Sequence, residues 1–199
     1  MRFKRYLEED STFFDVMNSK FEDVWEGSSE FIKEYFPKKL FLYRGMSSKP
    51  DISKISVRKE RIPSSTPKEV NDYINKYFKS KGFASRDESI FVSGNKDLAG
   101  GYGAIYIIIP IGNFDFVWSK EIDDFYERLP YIKNDELTDK QRLDIELMLD
   151  TYINKDFGAA IKSGHEIWID CKEYWAISYD RPILRIFMEW LKETKGIKT

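Results

Sequence analysis

The chain has 199 residues, of which 42% are hydrophobic and 16% aromatic, too much large apolar surface for a disordered protein. Its 32 basic residues nearly balance 34 acidic ones, leaving a formal net charge of −2 and no bulk attraction to nucleic acid or an anionic membrane. Cys171 and His165 are the sole residues of their types, which rules out an internal disulfide and a zinc site built from these two types. A Ser-His-Asp triad would have to use His165, and no nucleophile-elbow motif accompanies it. Met1-Arg2-Phe3-Lys4-Arg5 leads into acidic residues rather than an apolar core, so no signal peptide is expected. The longest apolar run, Ala104 to Ile111, is too short to span a bilayer. The expectation is a cytoplasmic protein of one domain, 1–199, with residues 1–39 as its helical N-terminal part.

In chain order, Phe13, Phe14, Met17, Phe21 and Val24 recur at steps of three or four and predict one helix face, capped by Ser11 or Thr12. Phe31 and Tyr35 predict a second short helix ending at Pro37. Leu40 to Tyr43 reads as a buried strand stopped by Gly45, and residues 46–65 as a long surface loop. Thr66-Pro67-Lys68-Glu69 carries a hydroxyl cap, a proline and a glutamate at the spacing of a helix start. Val70, Tyr73, Ile74, Tyr77 and Phe78 supply that helix's apolar face, and Gly82 ends it. Ile90–Val92, Ala104–Pro110 and Phe114–Trp118 are β-rich runs, with one or two helical turns expected between Lys96 and Tyr102. Thr138-Asp139-Lys140-Gln141 opens a further capped helix, with Leu143, Ile145, Leu147, Met148 and Tyr152 as apolar positions. Glu166–Cys171 and Tyr174–Tyr179 read as two strands joined by a tight turn, and Pro182 begins a last amphipathic helix. Helices and strands mix without βαβ alternation, which predicts an α+β fold with mainly antiparallel pairing.

Three segments bear chemistry. Tyr43-Arg44-Gly45 places a guanidinium, a rigid fork of donors suited to phosphate, at a strand end, where it can equally face solvent. The adjacent glycine permits close approach of a ligand or another strand. In Phe91-Val92-Ser93-Gly94-Asn95, a strand ends in a hydroxyl that can orient a neighbouring acid, although Ser93 or Asn95 can equally cap the following helix. Gly100-Gly101-Tyr102-Gly103 lacks the lysine and spacing of a phosphate loop. In Gly164-His165-Glu166-Ile167-Trp168-Ile169-Asp170, alternation puts Glu166, Trp168 and Asp170 on one strand face and His165, Ile167 and Ile169 on the other. Glu166 is then either a half-buried carboxylate aimed into a cleft or a solvent-facing edge charge. His165, on the opposite face, reads as a structural or surface histidine.

Taken together, Tyr43-Arg44-Gly45, Phe91-Val92-Ser93, Leu98-Ala99-Gly100-Gly101-Tyr102 and the strand opening on Glu166 resemble the arginine–serine–glutamate class of the ADP-ribosyltransferase family. Residues 61–119 and Glu166 to Tyr174 are also similar to uncharacterised proteins of tailed bacteriophages. The resemblance implies two packed, mainly antiparallel sheets around an NAD cleft with flanking helices. It implies NAD as co-substrate, no metal, and transfer of ADP-ribose to a host protein or RNA. Glu166, Ser93 and Arg44 would be catalytic, and Arg44, Gly45, Tyr43, Ser93, Phe83 and Tyr102 would hold NAD. Ser93 would position Glu166, and Tyr102 or Phe83 would stack on nicotinamide. Two departures stand out: Gly94 and Asn95 replace the later residues of the family's Ser-Thr-Ser element, and Gly164 replaces the acid or glutamine that precedes the catalytic glutamate in arginine-modifying members. An NAD glycohydrolase and a catalytically inactive binding or virion-associated module remain the alternatives.

Overall fold

The computed structural model describes residues 11–59, 66–129 and 137–198. Helix α1, Ser11–Tyr35, absorbs both helices expected at the start, because Ser28 leaves helical geometry (φ −142°, ψ 17°) without ending the run. Its hydroxyl donates to the Pro110 carbonyl at 2.8 Å and anchors the kink to the strand beneath. Met17, Phe21 and Val24 are buried as the periodicity predicts, while the side chains of Phe13 and Phe14 lie outside the described residues.

The strands are β1 (Leu42–Met46), β2 (Ile52–Ser56), β3 (Ser89–Ser93), β4 (Ala104–Pro110), β5 (Asp115–Ser119), β6 (Tyr152–Ile153), β7 (Glu166–Asp170) and β8 (Glu173–Ser178). Among them lie helices α2 (Lys68–Ser80), α3 (Lys96–Gly100), α4 (Phe125–Arg128), α5 (Asp139–Leu149) and α6 (Phe157–Ser163), and α7 (Pro182–Lys195) follows. The α+β reading holds, and every strand pairing is antiparallel.

Several elements differ from the sequence-based expectation. β1 begins later and runs through Gly45 instead of stopping there. The expected loop 46–65 contains β2, a strand at one edge of the ladder whose Ile52 and Ile55, three residues apart, fall on opposite faces and give no period-two pattern. Thr66 does not cap α2: Pro67 occupies the cap, and no side-chain cap bond forms. The capping box at Thr138 and Gln141 does form. On α5 the buried residues are Ile145 and Leu149, whereas Leu143 and Leu147 are exposed. Tyr152 belongs to β6, beyond the helix end.

Hydrogen bonding joins the eight strands in the order β2-β8-β4-β1-β3-β7-β5-β6. The expected two sheets are thus one ladder in two four-strand halves, met at a single β1–β3 pair, Tyr43 with Ser93. Connectivity shows that this ladder is not flat. Cys171 and Lys172 alone separate β7 from β8, yet three strands lie between these two in the sheet. Four flat strand spacings amount to about 19 Å, and three extended residue steps reach only about 11 Å. The halves must therefore fold toward each other.

The core agrees. One apolar cluster takes Ile107, Ile109 and Ile177 from the first half and Ile90, Val92, Ile167 and Ile169 from the second, with Phe21 of α1 and Phe187 and Trp190 of α7. Burying each such side chain contributes roughly 1.5–3 kcal/mol relative to exposure. A second cluster lies on the other face of β7: Trp168 and Val117 pack against Val70, Ile74 and Phe78 of α2 and Ile145 and Leu149 of α5. Among the described residues no helix is long and apolar enough to cross a membrane.

Candidate functional site

β1, β3 and β7 are adjacent, and their register places Tyr43 opposite Ser93 and Ser93 opposite Glu166. Ser93 and Glu166 thus share a sheet face, and together with Arg44 they line one cleft of about 470 Å³ beside the join of the two half-sheets. Tyr43, Gly45 and Tyr102 line it too. Phe83 does not. Gly82 (φ +70°) turns the chain back on α2, the Phe83 N–H donates to the Phe78 carbonyl at 3.0 Å, and the Phe83 ring packs beside Phe78.

The glycines explain the local sequence. A Cβ on Gly45 would sit 1.9 Å from the Ala99 carbonyl oxygen, so it is α3 that approaches β1 closely here. A Cβ on Gly94 would lie 1.7 Å from the carbonyl oxygen of Ile161, which excludes any side chain after Ser93. Gly164, expected on the Glu166 strand face, is instead the left-handed C-cap of α6 (φ +73°), ahead of the strand. Gly94 therefore answers to packing against α6, Gly164 to the left-handed turn that ends α6, and Asn95 to the cap of α3.

Ser93 is buried, and its hydroxyl does not bond Glu166 as expected. It donates to the Gly164 carbonyl at 2.6 Å and accepts the Asn95 N–H at 2.9 Å. It thereby fixes the segment that leads into Glu166 and acts on the carboxylate only through the backbone. Asn95 caps α3 by accepting from the N–H groups of Asp97 and Leu98. His165 faces away from the cleft, with Nδ1 2.9 Å from the Ser119 carbonyl oxygen.

Glu166 is held from several sides. Its backbone N–H donates to the Asp123 carbonyl at 2.8 Å. Two positions along the same strand face, Trp168 donates its indole N–H to the carboxylate. Burial pushes the Glu166 carboxyl above its ordinary range. The Arg86 charge opposes that rise, Asp124 adds to it, and the Trp168 indole and the Phe125 N–H oppose it.

Arg86, Asp124 and Tyr126 also line the cleft and escaped the sequence reading. Asp124 is 3% exposed; it caps α4 by accepting from Tyr126 and Glu127 N–H and accepts the Tyr102 hydroxyl at 2.6 Å. That bond, together with burial, raises the Tyr102 phenol far above its usual value. Tyr102 is nevertheless 62% exposed, so its ring is free at the mouth of the cleft. Asp124-Phe-Tyr-Glu127 has the spacing of a helix start and could have revealed the cap. Nothing local to Ser85-Arg86-Asp87-Glu88 distinguishes it from an exposed turn.

The cleft's volume falls within the range of small-molecule sites, about 300–1,000 Å³. An arginine, an enclosed carboxylate and exposed tyrosine rings supply donors for phosphate, an acceptor for a sugar hydroxyl and faces for a planar ring. No family model matches the chain, and no curated protein or solved structure is significantly similar to it.

Proposed function

We propose that the protein is an NAD-dependent ADP-ribosyltransferase. The reading rests on one observation above all: an arginine, a serine and a glutamate from three adjacent strands line a single cleft in the order the family resemblance implies. On this reading the two half-sheets are the family's two packed sheets, and NAD lies in the cleft between them. Arg44 binds a phosphate of the pyrophosphate, and Tyr43 and Gly45 border the nicotinamide end with the Tyr102 ring.

The chemistry asks little of the protein. The bond between nicotinamide nitrogen and ribose C1′ breaks, its electron pair leaves with the ring, and nicotinamide departs neutral. Positive charge develops at C1′ as in glycoside hydrolysis. Glu166 accepts the ribose 2′-hydroxyl and stabilises that charge, which the ground state lacks at C1′. Trp168 and Ser93 keep Glu166 in place, one by the indole bond and the other through Gly164. An acceptor nucleophile then takes C1′. We further propose a host protein or RNA as acceptor, in an infected bacterial cytoplasm, in keeping with the phage resemblance.

One observation favours a second reading, NAD glycohydrolysis. Gly164, confined to a left-handed cap, offers no side chain to orient an acceptor. Incubation with NAD decides among the alternatives. Free nicotinamide that increases with host protein or RNA supports transfer, and nicotinamide release independent of any acceptor supports hydrolysis. No nicotinamide under either condition overturns both and leaves a binding module.

A further inference from the structure

Arg86 is only 4% exposed, yet it lines the cleft beside Glu166. Its guanidinium carbon lies 4.7 Å from the Phe91 ring centre, 4.8 Å from that of Phe125 and 5.3 Å from that of Trp168. Three aromatic faces thus enclose one cation, and one of those aromatics, Trp168, also donates its indole N–H to the Glu166 carboxylate.

The backbone beneath Arg86 is equally fixed. Asn75 of α2, itself buried, accepts from the N–H groups of Arg86 and Asp87 at 3.0 and 3.2 Å. Ser89 ties the turn from the other side by donating to the Ser85 carbonyl at 2.6 Å. A long, charged side chain is costly to bury unless its charge is used.

We propose that Arg86 is a positioning residue for Glu166: clamped among Phe91, Phe125 and Trp168, it supplies the fixed positive charge that keeps the carboxylate ionised and oriented inside the cleft. Arginine suits this duty because its planar group stacks on rings and does not lose its proton. The opposing influences on Glu166 come from its own burial, from Asp124 ahead of α4, and from the phenols of Tyr102 and Tyr152 when ionised. Burial raises the Tyr152 phenol well above its ordinary value, and Tyr102 is raised as well, so both are neutral near pH 7. Asp124 is then the remaining acid that Arg86 must outweigh.

The proposal rests on the reading of Glu166 as the catalytic carboxylate, but its test does not depend on turnover. The Glu166 carboxyl is titrated by NMR in protein carrying ¹³C-carboxyl glutamate, with the resonance assigned by its loss in Glu166→Gln. Arg86→Met keeps an apolar chain of similar reach and removes the charge, so the Glu166 midpoint should move to higher pH. The acid limb of nicotinamide release should move with it. A one-unit rise costs about tenfold in the ionised fraction wherever the pH lies below both midpoints. KM for NAD should change less than kcat.

Arg86→Lys retains a cation that cannot lie flat between rings, and should shift the midpoint in the same direction by a smaller amount. An unchanged midpoint in the folded methionine variant overturns the proposal and leaves Arg86 a core residue. Should that variant fail to fold, an unchanged midpoint in the lysine variant does so. A double-mutant cycle of melting temperature gives an independent answer. If Arg86 serves Glu166, the loss from Arg86→Lys shrinks in the Glu166→Gln background; strict additivity overturns the proposal. Absence of nicotinamide release from the wild-type protein would remove the transferase reading while leaving the titration and the cycle to decide on Arg86.

Discussion

Strand β7 carries a carboxylate at each end of one face, and the two have been given opposite surroundings. Glu166 opens into the cleft, with Arg86, the Trp168 indole and the Phe125 N–H turned toward it. Asp170 ends the strand among acids. Burial raises its carboxyl, Glu88 and Asp115 raise it further, Lys59 opposes the rise, and Asp87 adds to it. Asp115 is its cross-strand partner, a like-charge pairing that destabilises. A perturbed carboxylate at a strand end is thus no mark of function by itself. What sets Glu166 apart is a set of donors that favours its charged form at the wall of an open cavity.

The sharpest way to test this contrast is to neutralise each end in turn. Glu166→Gln keeps shape and hydrogen-bonding capacity and should cost on the order of a hundred- to a thousand-fold in nicotinamide release, the usual cost of one preorganised electrostatic contact. Asp170→Asn should leave release unchanged. NAD affinity, by calorimetry, should hold in both. An Asp170 variant as impaired as the Glu166 one would erase the distinction.

Next in size is the proposed phosphate anchor on β1, beyond β3 in the ladder. Arg44→Ala should weaken NAD binding roughly ten- to a hundredfold, from the roughly 1.5–3 kcal/mol of a hydrogen bond to a charged group. Arg44→Lys should recover little, since an ammonium cannot reproduce the planar fork. Calorimetric titration with NAD that found both variants unchanged would remove Arg44 from the site.

The two carboxylates should also differ in how they answer to pH. Both have folded values raised above the unfolded ones, so each contributes stability that is complete below its unfolded value and lost as pH rises through the folded one. Acidification across that window should therefore relieve both, and Glu166→Gln and Asp170→Asn should each flatten the melting-temperature profile there without lowering it at neutral pH. Activity has the reverse sign. On the proposed mechanism it needs Glu166 charged, so its acid limb should lie above the ordinary glutamate range and should persist in Asp170→Asn. A wild-type limb at the value of an exposed glutamate would count against Glu166 as the group that sets it.

The smallest effect is expected at the rim. Tyr102→Phe removes the donor to Asp124 and keeps the ring, so KM for NAD should change by roughly two- to tenfold at most, from the roughly 0.5–1.5 kcal/mol of an ordinary hydrogen bond. Tyr102→Ala should exceed it if the ring stacks on substrate. Equal values for the two variants would exclude stacking.

These residues were unequally legible in the sequence. Arg44, Ser93 and Glu166 sit at strand ends within short patterns, and strand alternation correctly placed Trp168 on the face of Glu166. Gly94 and Gly164 stood out as departures, but their cause is contact with Ile161 and a left-handed cap, which no local pattern records. Arg86 was invisible, and Asp124 legible only as a helix cap, because their place in the cleft is tertiary: one is buried by rings from β3, β7 and α4, the other meets Tyr102 from across the cleft. β2 was lost among charges and turn formers because its two isoleucines, three residues apart, give no strand period. The ladder order could not be read at all, since neighbours in the chain are seldom neighbours in the sheet.

That order bears on how the protein acquires its shape. Among the described strands, β5 and β6 alone are consecutive partners, and α4 and α5 lie between them. Ile52 must find Ile177, and Ser93 must find Glu166, before either ladder exists. No tight hairpin can act as a cheap local nucleus, so large loop-closure entropies precede the first pairing, and such topologies fold slowly. β1 can pair with β4 once both exist, but β2 has β8 as its partner strand and β3 needs β7 to complete its pairing. A chain truncated before Glu166 therefore has β2 without a partner strand and β3 without its β7 partner, and the cleft lacks its carboxylate wall until β7 is in place.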